Sequence, residues 1–335
     1  MRVPASAKRR MSMQYAQLGR CGLRVSRVAL GTLNFGPETD EPTSHAIMDR
    51  ALELGINLFD TADYYGWEAG AGTTESIIGR WLLQGGGRRE KVVLATKVYM
   101  PVGDGPNDKG LSALHIRRAC EASLRRLRTD RIDLYQMHHI DRTTPWEEIW
   151  QAFSTLQQQG KILYVGTSNF AGWHLAQAQE RARALGQFGS VSEQSLYNLC
   201  YRQVETDVLP ACQAYGIGVL VWGTLNRGVL ANADLEKRRG RRATERLQRE
   251  YARFGVRLPR YTALCATLGA SPADVATAWT LTHPAVTTVV AGPRSLAQLT
   301  DSVGCLRVQL NADARKALDE IWPGPGGPAP EAYAW

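Results

Sequence analysis

Eight short apolar runs alternate with stretches of helical periodicity, and this alternation constrains the fold more than any other feature of the chain. The runs occupy residues 28–31, 56–60, 92–97, 132–138, 162–166, 190–194, 217–222 and 287–291. They are short and rich in β-branched residues, as strands buried on both faces of a parallel sheet should be. Between them, apolar residues recur every three or four positions over 43–54, 74–83, 114–127, 146–158 and 272–282, which marks amphipathic helices. Ser271 ahead of Pro272 predicts a capped helix start. Eight strand–helix units in 335 residues predict an α/β fold, a (β/α)8 TIM barrel. A doubly wound sheet would place G-x-G-x-x-G directly after its first strand. Here Gly31-Thr-Leu-Asn-Phe-Gly36 stands at that point, and Gly70-Ala-Gly72 follows a loop.

Residues 15–18 and 23–26 flank Gly19-Arg-Cys-Gly22 and predict an N-terminal β-hairpin closing the barrel floor. Two long polar segments, 99–113 and 231–259, follow strands, so both are expected as loops at the C-terminal face, where barrels build their sites. The domain reading is a flexible tail over 1–13, one barrel over 14–322 and a C-terminal tail over 323–335. Forty basic against thirty-two acidic residues leave a net charge of +8. Nine of the basic residues lie in two patches, residues 2–10 and 237–242. The rest of the chain is near neutral, so a nucleic-acid partner is not expected. No apolar run reaches the length of a membrane span, and no apolar segment follows the basic N-terminus as in a secretory signal. Six scattered cysteines without C-x-x-C or zinc-ligand spacing predict reduced core residues, no metal and a cytoplasmic location.

Catalytic groups of a barrel belong at the C-terminal ends of its strands. The second strand ends in Asp60, the third in Lys97 and the fourth in His138, with Tyr65 in the loop after the second. A free phenol has a pKa near 10 and donates poorly at neutral pH. An ammonium beside it is expected to lower that value, and Asp60 would hold Lys97 charged. His138 can orient a substrate oxygen. Such a set protonates a carbonyl oxygen while its carbon is reduced. Each residue alone also has an ordinary structural reading; their coincidence on three consecutive strand ends does not.

Asp60-Thr-Ala-x-x-Tyr65-Gly66, Ala95-Thr-Lys97 and Tyr135-Gln-Met-His138 resemble the signatures of the aldo-keto reductases. Gly160-Lys-Ile-x-Tyr-Val-Gly-x-Ser-Asn169, Gln194-x-x-Tyr-Asn198 and Gly292-Pro-Arg294 extend the resemblance over roughly residues 14–320. The resemblance implies that Tyr65 is the general acid, Lys97 and Asp60 its tuners and His138 the orienter. It implies NADPH/NADP+ as cofactor. Ser168, Asn169 and Gln194 would meet the nicotinamide amide, and Trp222 would stack on its ring unless it is an ordinary buried tryptophan. Gly31, Thr32 and Asp60 would border the cofactor. Gly223, Thr224, Leu225 and Arg227 would follow the pyrophosphate, Gly292, Arg294 and Gln298 would surround the adenosine 2′-phosphate, and Ser302 would stand at the adenine. Gly223-Thr-Leu225 departs from the family's common Ser-Pro-Leu, and Ser302 from its common Asn. Leu33, Trp67 and His139 are the candidate substrate residues, although His139 could equally face outward. The basic run 237–242 reads either as a solvated loop or as a phosphate-grasping flap.

The first functional expectation is an NADPH-dependent reductase of a small-molecule aldehyde or ketone. The segment around Asn34 and the loop over 103–110 resemble actinobacterial members, some of them NDP-hexose 2,3-reductases of deoxysugar pathways, so a nucleotide-linked keto-sugar is one expected substrate and general aldehydes another. The resemblance also admits a cofactor-sensing regulatory subunit, since some relatives serve potassium channels. A lyase with Lys97 as Schiff-base nucleophile is a third reading. Oligomeric state is open.

Overall fold

The computed structural model describes residues 13–231, 245–329 and 331. The basic run 237–242, residues 1–12 of the N-terminal tail and the Trp67 side chain lie outside this description. The chain begins with a hairpin of β1 (Tyr15–Gln17) and β2 (Arg24–Ser26). Eight parallel strands follow: β3 (Val28–Gly31), β4 (Leu58–Asp60), β5 (Val93–Val98), β6 (Ile132–Met137), β7 (Ile162–Ser168), β8 (Ser190–Leu196), β9 (Gly218–Trp222) and β10 (Val286–Ala291). They close a barrel in chain order, with β10 pairing back onto β3. The expected strands and fold are therefore present, with edges shifted by a residue or two.

The barrel interior divides into two levels. Ala29, Leu58, Ala95, Leu134, Val191 and Leu220 pack together near the strand starts, and Leu18, Cys21 and Val25 of the hairpin join them. The hairpin seals this floor through backbone as well: Arg20 N–H donates to the Gly216 carbonyl, and Ser26 N–H to Asn57 Oδ1. One pleat higher the inward positions turn polar, at Asp60, Lys97, Gln136 and Gln194, all buried. Two-residue alternation along each strand carries the pattern upward. Helices cover the outer faces. Ser271 caps Pro272–Leu281 by accepting from Asp274 N–H, as its sequence position predicts.

One expected loop is partly helix. Residues 231–259 read as a polar loop, yet Glu245–Phe254 is an α-helix, Gly255–Arg257 a 3-10 turn, and Leu258 opens the helix Leu258–Thr267. Leu247, Phe254 and Leu258 are buried. These sparse anchors, at helical spacing among arginines and glutamates, supply an apolar stripe too narrow to stand out from the charge. Loop 99–113 behaves as expected: only from Ala113 does it become a helix, Ala113–Leu127.

Candidate active site

Three strand ends bring the site together. Asp60 closes β4, Lys97 is the penultimate residue of β5, and His138 lies one residue past β6. Register places Asp60 beside Gly31 and Ala95, and Lys97 beside Gln136. The Lys97 ammonium donates to Asp60 Oδ2 at 2.6 Å, to the Thr61 carbonyl at 2.9 Å and to the Tyr65 hydroxyl at 3.1 Å. Lys97 is fully buried and Asp60 is 2% exposed. All three ammonium hydrogens thus have acceptors, which is what burial of a lysine demands. The Tyr65 ring stands edge-on to His138, with centroids 5.9 Å apart. The Tyr65–Gly66 turn needs its glycine: Gly66 has φ +145°, and a Cβ there would sit 2.0 Å from the Gly70 carbonyl oxygen.

Electrostatics correct one sequence expectation. Lys97 does pull the Tyr65 pKa down, but burial is the larger influence, and Tyr65 ends above the ordinary phenol value. Tyr65 is therefore a protonated donor rather than a phenolate at neutral pH. Burial alone would depress Lys97; Asp60 and Tyr65 reverse this and leave its pKa raised. A charged Lys97 opposes the Schiff-base reading, which needs a neutral amine.

Burial, reinforced by Lys97 and His139, pushes His138 down to about 3. His138 is then neutral above that pH. A kcat/KM profile for carbonyl reduction between about pH 5 and 8 is expected to show no inflection near the ordinary histidine value of about 6.5. An inflection there, absent from a His138→Asn variant, would contradict a neutral His138. Stability carries the opposite signature: below about 6.5 the unfolded chain takes up a proton that the folded one refuses until about 3, so stability falls as pH drops through that window.

Gln136 was not singled out from sequence, although alternation from His138 points it inward. Its Nε2 donates to Asp60 Oδ1 at 2.9 Å, and Gln194 Nε2 donates to the same oxygen at 2.9 Å. Asp60 is thus held by Lys97 on one oxygen and two amides on the other. Gly166 makes the room: a Cβ there would meet Ser192 Oγ at 2.5 Å and Gln136 Cγ at 3.0 Å. Gly166→Ala is expected to cost about 1–3 kcal/mol of stability by overpacking and to lower kcat by displacing Gln136; unchanged unfolding and kcat would show that the barrel yields without disturbing Asp60.

The other candidates gather on the same rim. Register pairs Ser168 with Gln194. Ser168 Oγ donates to the Gln194 carbonyl, and Asn169 Nδ2 donates to Ser168 Oγ and the His138 carbonyl. Gln194 Nε2 is committed to Asp60 and, at 3.4 Å, to Gln136 Oε1. This leaves the amide oxygens of Asn169 and Gln194 as acceptors, which fits the NH2 group of a nicotinamide carboxamide. Trp222, at the end of β9, is 36% exposed and not the ordinary buried tryptophan that sequence also allowed. Asn198 Nδ2 donates to the Gly223 carbonyl; Thr224 is buried, Leu225 half-buried, and Arg227 exposed at φ +57°. Thr32 is buried, with its N–H and hydroxyl both on the Asp60 carbonyl. After β10, Asn34 Nδ2 donates to the Gly292 carbonyl and Gln298 Oε1 accepts from Arg294 N–H, while the Ser302 hydroxyl donates to the Leu299 carbonyl. Leu33 is half-buried just past β3. His139 is half-buried against the Tyr99 ring, with centroids 5.4 Å apart. Tyr99 itself adopts φ 148°, a strained value for a side-chain-bearing residue. No local sequence signal marks it.

Residues 27–323 match the Aldo/keto reductase family. The chain is 51% identical over 327 residues to the uncharacterized oxidoreductase YrpG of Bacillus subtilis, a match covering 96% of this chain and 100% of that protein. It is 33% identical to the versiconal hemiacetal acetate reductase of Aspergillus parasiticus, over 92% of this chain and 96% of that protein. It is also 34% identical to a probable voltage-gated potassium channel subunit beta of Oryza sativa, over 88% and 92% respectively. No helix among the described residues is long and apolar enough to cross a membrane.

Proposed function

The chain belongs to the aldo/keto reductase family and is an oxidoreductase, and from that premise we propose that it reduces a small-molecule aldehyde or ketone with NADPH, Tyr65 donating the proton. The observation that carries this reading is the buried Lys97 ammonium shared between Asp60 and the Tyr65 hydroxyl, 2.6 Å from one and 3.1 Å from the other. When bound, NADPH supplies the reducing equivalents. Tyr65 gives its proton to the carbonyl oxygen as negative charge develops there. Lys97 stabilises the phenolate left behind, and Asp60, anchored by Gln136 and Gln194, keeps Lys97 charged and in place. Neutral His138 can give a ring N–H to the same oxygen and orient it.

In this reading Ser168, Asn169 and Gln194 hold the carboxamide, and Trp222 offers its exposed face to the nicotinamide ring. Gly31 and Thr32 border the cofactor, and Gly223, Thr224, Leu225 and Arg227 follow the pyrophosphate. Gly292, Arg294, Gln298 and Ser302 surround the adenosine end, Arg294 facing the 2′-phosphate. Leu33 and His139 line the substrate side, and Trp67 joins them on its sequence position alone. A nucleotide-linked keto-sugar is the substrate we place first, with general small aldehydes second; neither a nucleic acid nor a membrane enters the reading, and the location is cytoplasmic.

The test is NADPH consumption against aldehydes, ketones, quinones and a nucleotide-linked keto-sugar, with Tyr65→Phe alongside. Turnover that vanishes in the variant supports the reading, and the best substrate orders the two classes. The similarity to channel β subunits favours a second reading, a cofactor-sensing subunit. Tight NADPH binding without turnover on any carbonyl would favour that one.

A further inference from the structure

Arg294 does not present a free charge. Its guanidinium pairs with the Glu38 carboxylate at 3.1 Å, and the Arg294 and Glu38 side chains are 28% and 20% exposed. The two residues come from neighbouring strands, Glu38 from the loop after β3 and Arg294 from the loop after β10. Glu38 is delivered by a tight turn: its N–H and that of Thr39 both donate to the Asn34 carbonyl at 3.0 Å, and Gly36 N–H donates to the Thr39 carbonyl. Asn34 in turn binds the Gly292 carbonyl through its side chain. The backbone that carries Glu38 is therefore pinned beside the 292–294 segment, within reach of the Arg294 guanidinium.

We propose that Glu38 is a specificity-determining residue that limits the preference for NADPH over NADH. The inference rests on the reading that Arg294 faces the adenosine 2′-phosphate. That phosphate carries nearly two negative charges at neutral pH. To use the Arg294 guanidinium it must displace the Glu38 carboxylate or share one cation with it, and two anions on one cation repel at close range. The neutral ribose 2′-hydroxyl of NADH meets no such conflict. The family resemblance of the arginine's position implies NADPH over NADH; the counter-charge appears only where two loops meet.

The experiment measures dissociation constants by calorimetry for NADPH and NADH with the native protein, Glu38→Gln, Arg294→Ala and the double variant, none of which needs turnover. Glu38→Gln is expected to tighten NADPH about tenfold and to leave NADH within about twofold, with the gain shrinking at high salt. In the double variant the gain should disappear. If Glu38→Gln leaves the ratio of the two constants unchanged, or weakens NADH instead, while Arg294→Ala weakens NADPH alone, the inference falls and the role of Arg294 stands. If Arg294→Ala weakens both cofactors equally, the reading of Arg294 falls and the inference with it.

Discussion

Tyr65→Phe is expected to lower kcat for carbonyl reduction by about 10³-fold, within the range lost when a positioned general acid is removed, while NADPH binds as tightly as before. The Tyr65 hydroxyl sits 3.1 Å from the Lys97 ammonium, and burial keeps its pKa above the ordinary phenol value. Tyr65 is therefore protonated at neutral pH, and in the proposed reaction the lysine acts when the proton leaves, by stabilising the phenolate. Phenylalanine keeps the ring against His138 and removes only the oxygen. Single-turnover rates and cofactor titration on the same samples separate chemistry from binding. A variant that retains more than about a tenth of native kcat would remove Tyr65 from the donor role.

Lys97→Met is expected to abolish measurable turnover and, in addition, to destabilise the fold by about 3–5 kcal/mol, the usual consequence of stripping one partner from a buried ion pair. Asp60 would remain at 2% exposure with its Oδ2 deprived of the ammonium. The amides of Gln136 and Gln194 would still hold Oδ1, which keeps the loss within that range. Sequence reasoning could place the pair but not its stake in stability, which follows from complete burial. Asp60→Asn combined with Lys97→Met should recover part of the lost stability without restoring turnover, because the double variant leaves no unpaired charge. Urea unfolding of the three variants checks this. If Lys97→Met unfolds with the native free energy, the pair contributes nothing to the fold and serves catalysis alone.

Much of the site was legible in the chain because barrel geometry converts strand ends into neighbours. Asp60, Lys97 and His138 lie far apart in sequence, yet each closes a short β-branched run, and parallel strands in chain order bring such ends together. Gln136 was equally legible in principle, two residues before His138 and so on the same face, but a glutamine inside an apolar run gives no sign of its partner. The helix Glu245–Phe254 escaped notice because its few apolar anchors are diluted by charge. The strain at Tyr99 and the pairing of Arg294 with Glu38 leave no local trace.

The pattern of apolar runs and helical periods was sufficient by itself to determine the barrel, and its strand-end Asp, Lys and His to place Asp60, Lys97 and His138 together on one rim. These depend on periodicity and on residue type at an element's end, both of which are local properties. Only the tertiary structure decided the state of those groups. The direction of the Tyr65 and His138 shifts depends on how completely neighbouring elements exclude water, the cost of removing Lys97 depends on the burial of Asp60, and the charge that meets Arg294 arrives from a loop more than two hundred residues away in the chain. Desolvation and long-range pairing are sums over everything packed around a group, and no segment of sequence contains that sum.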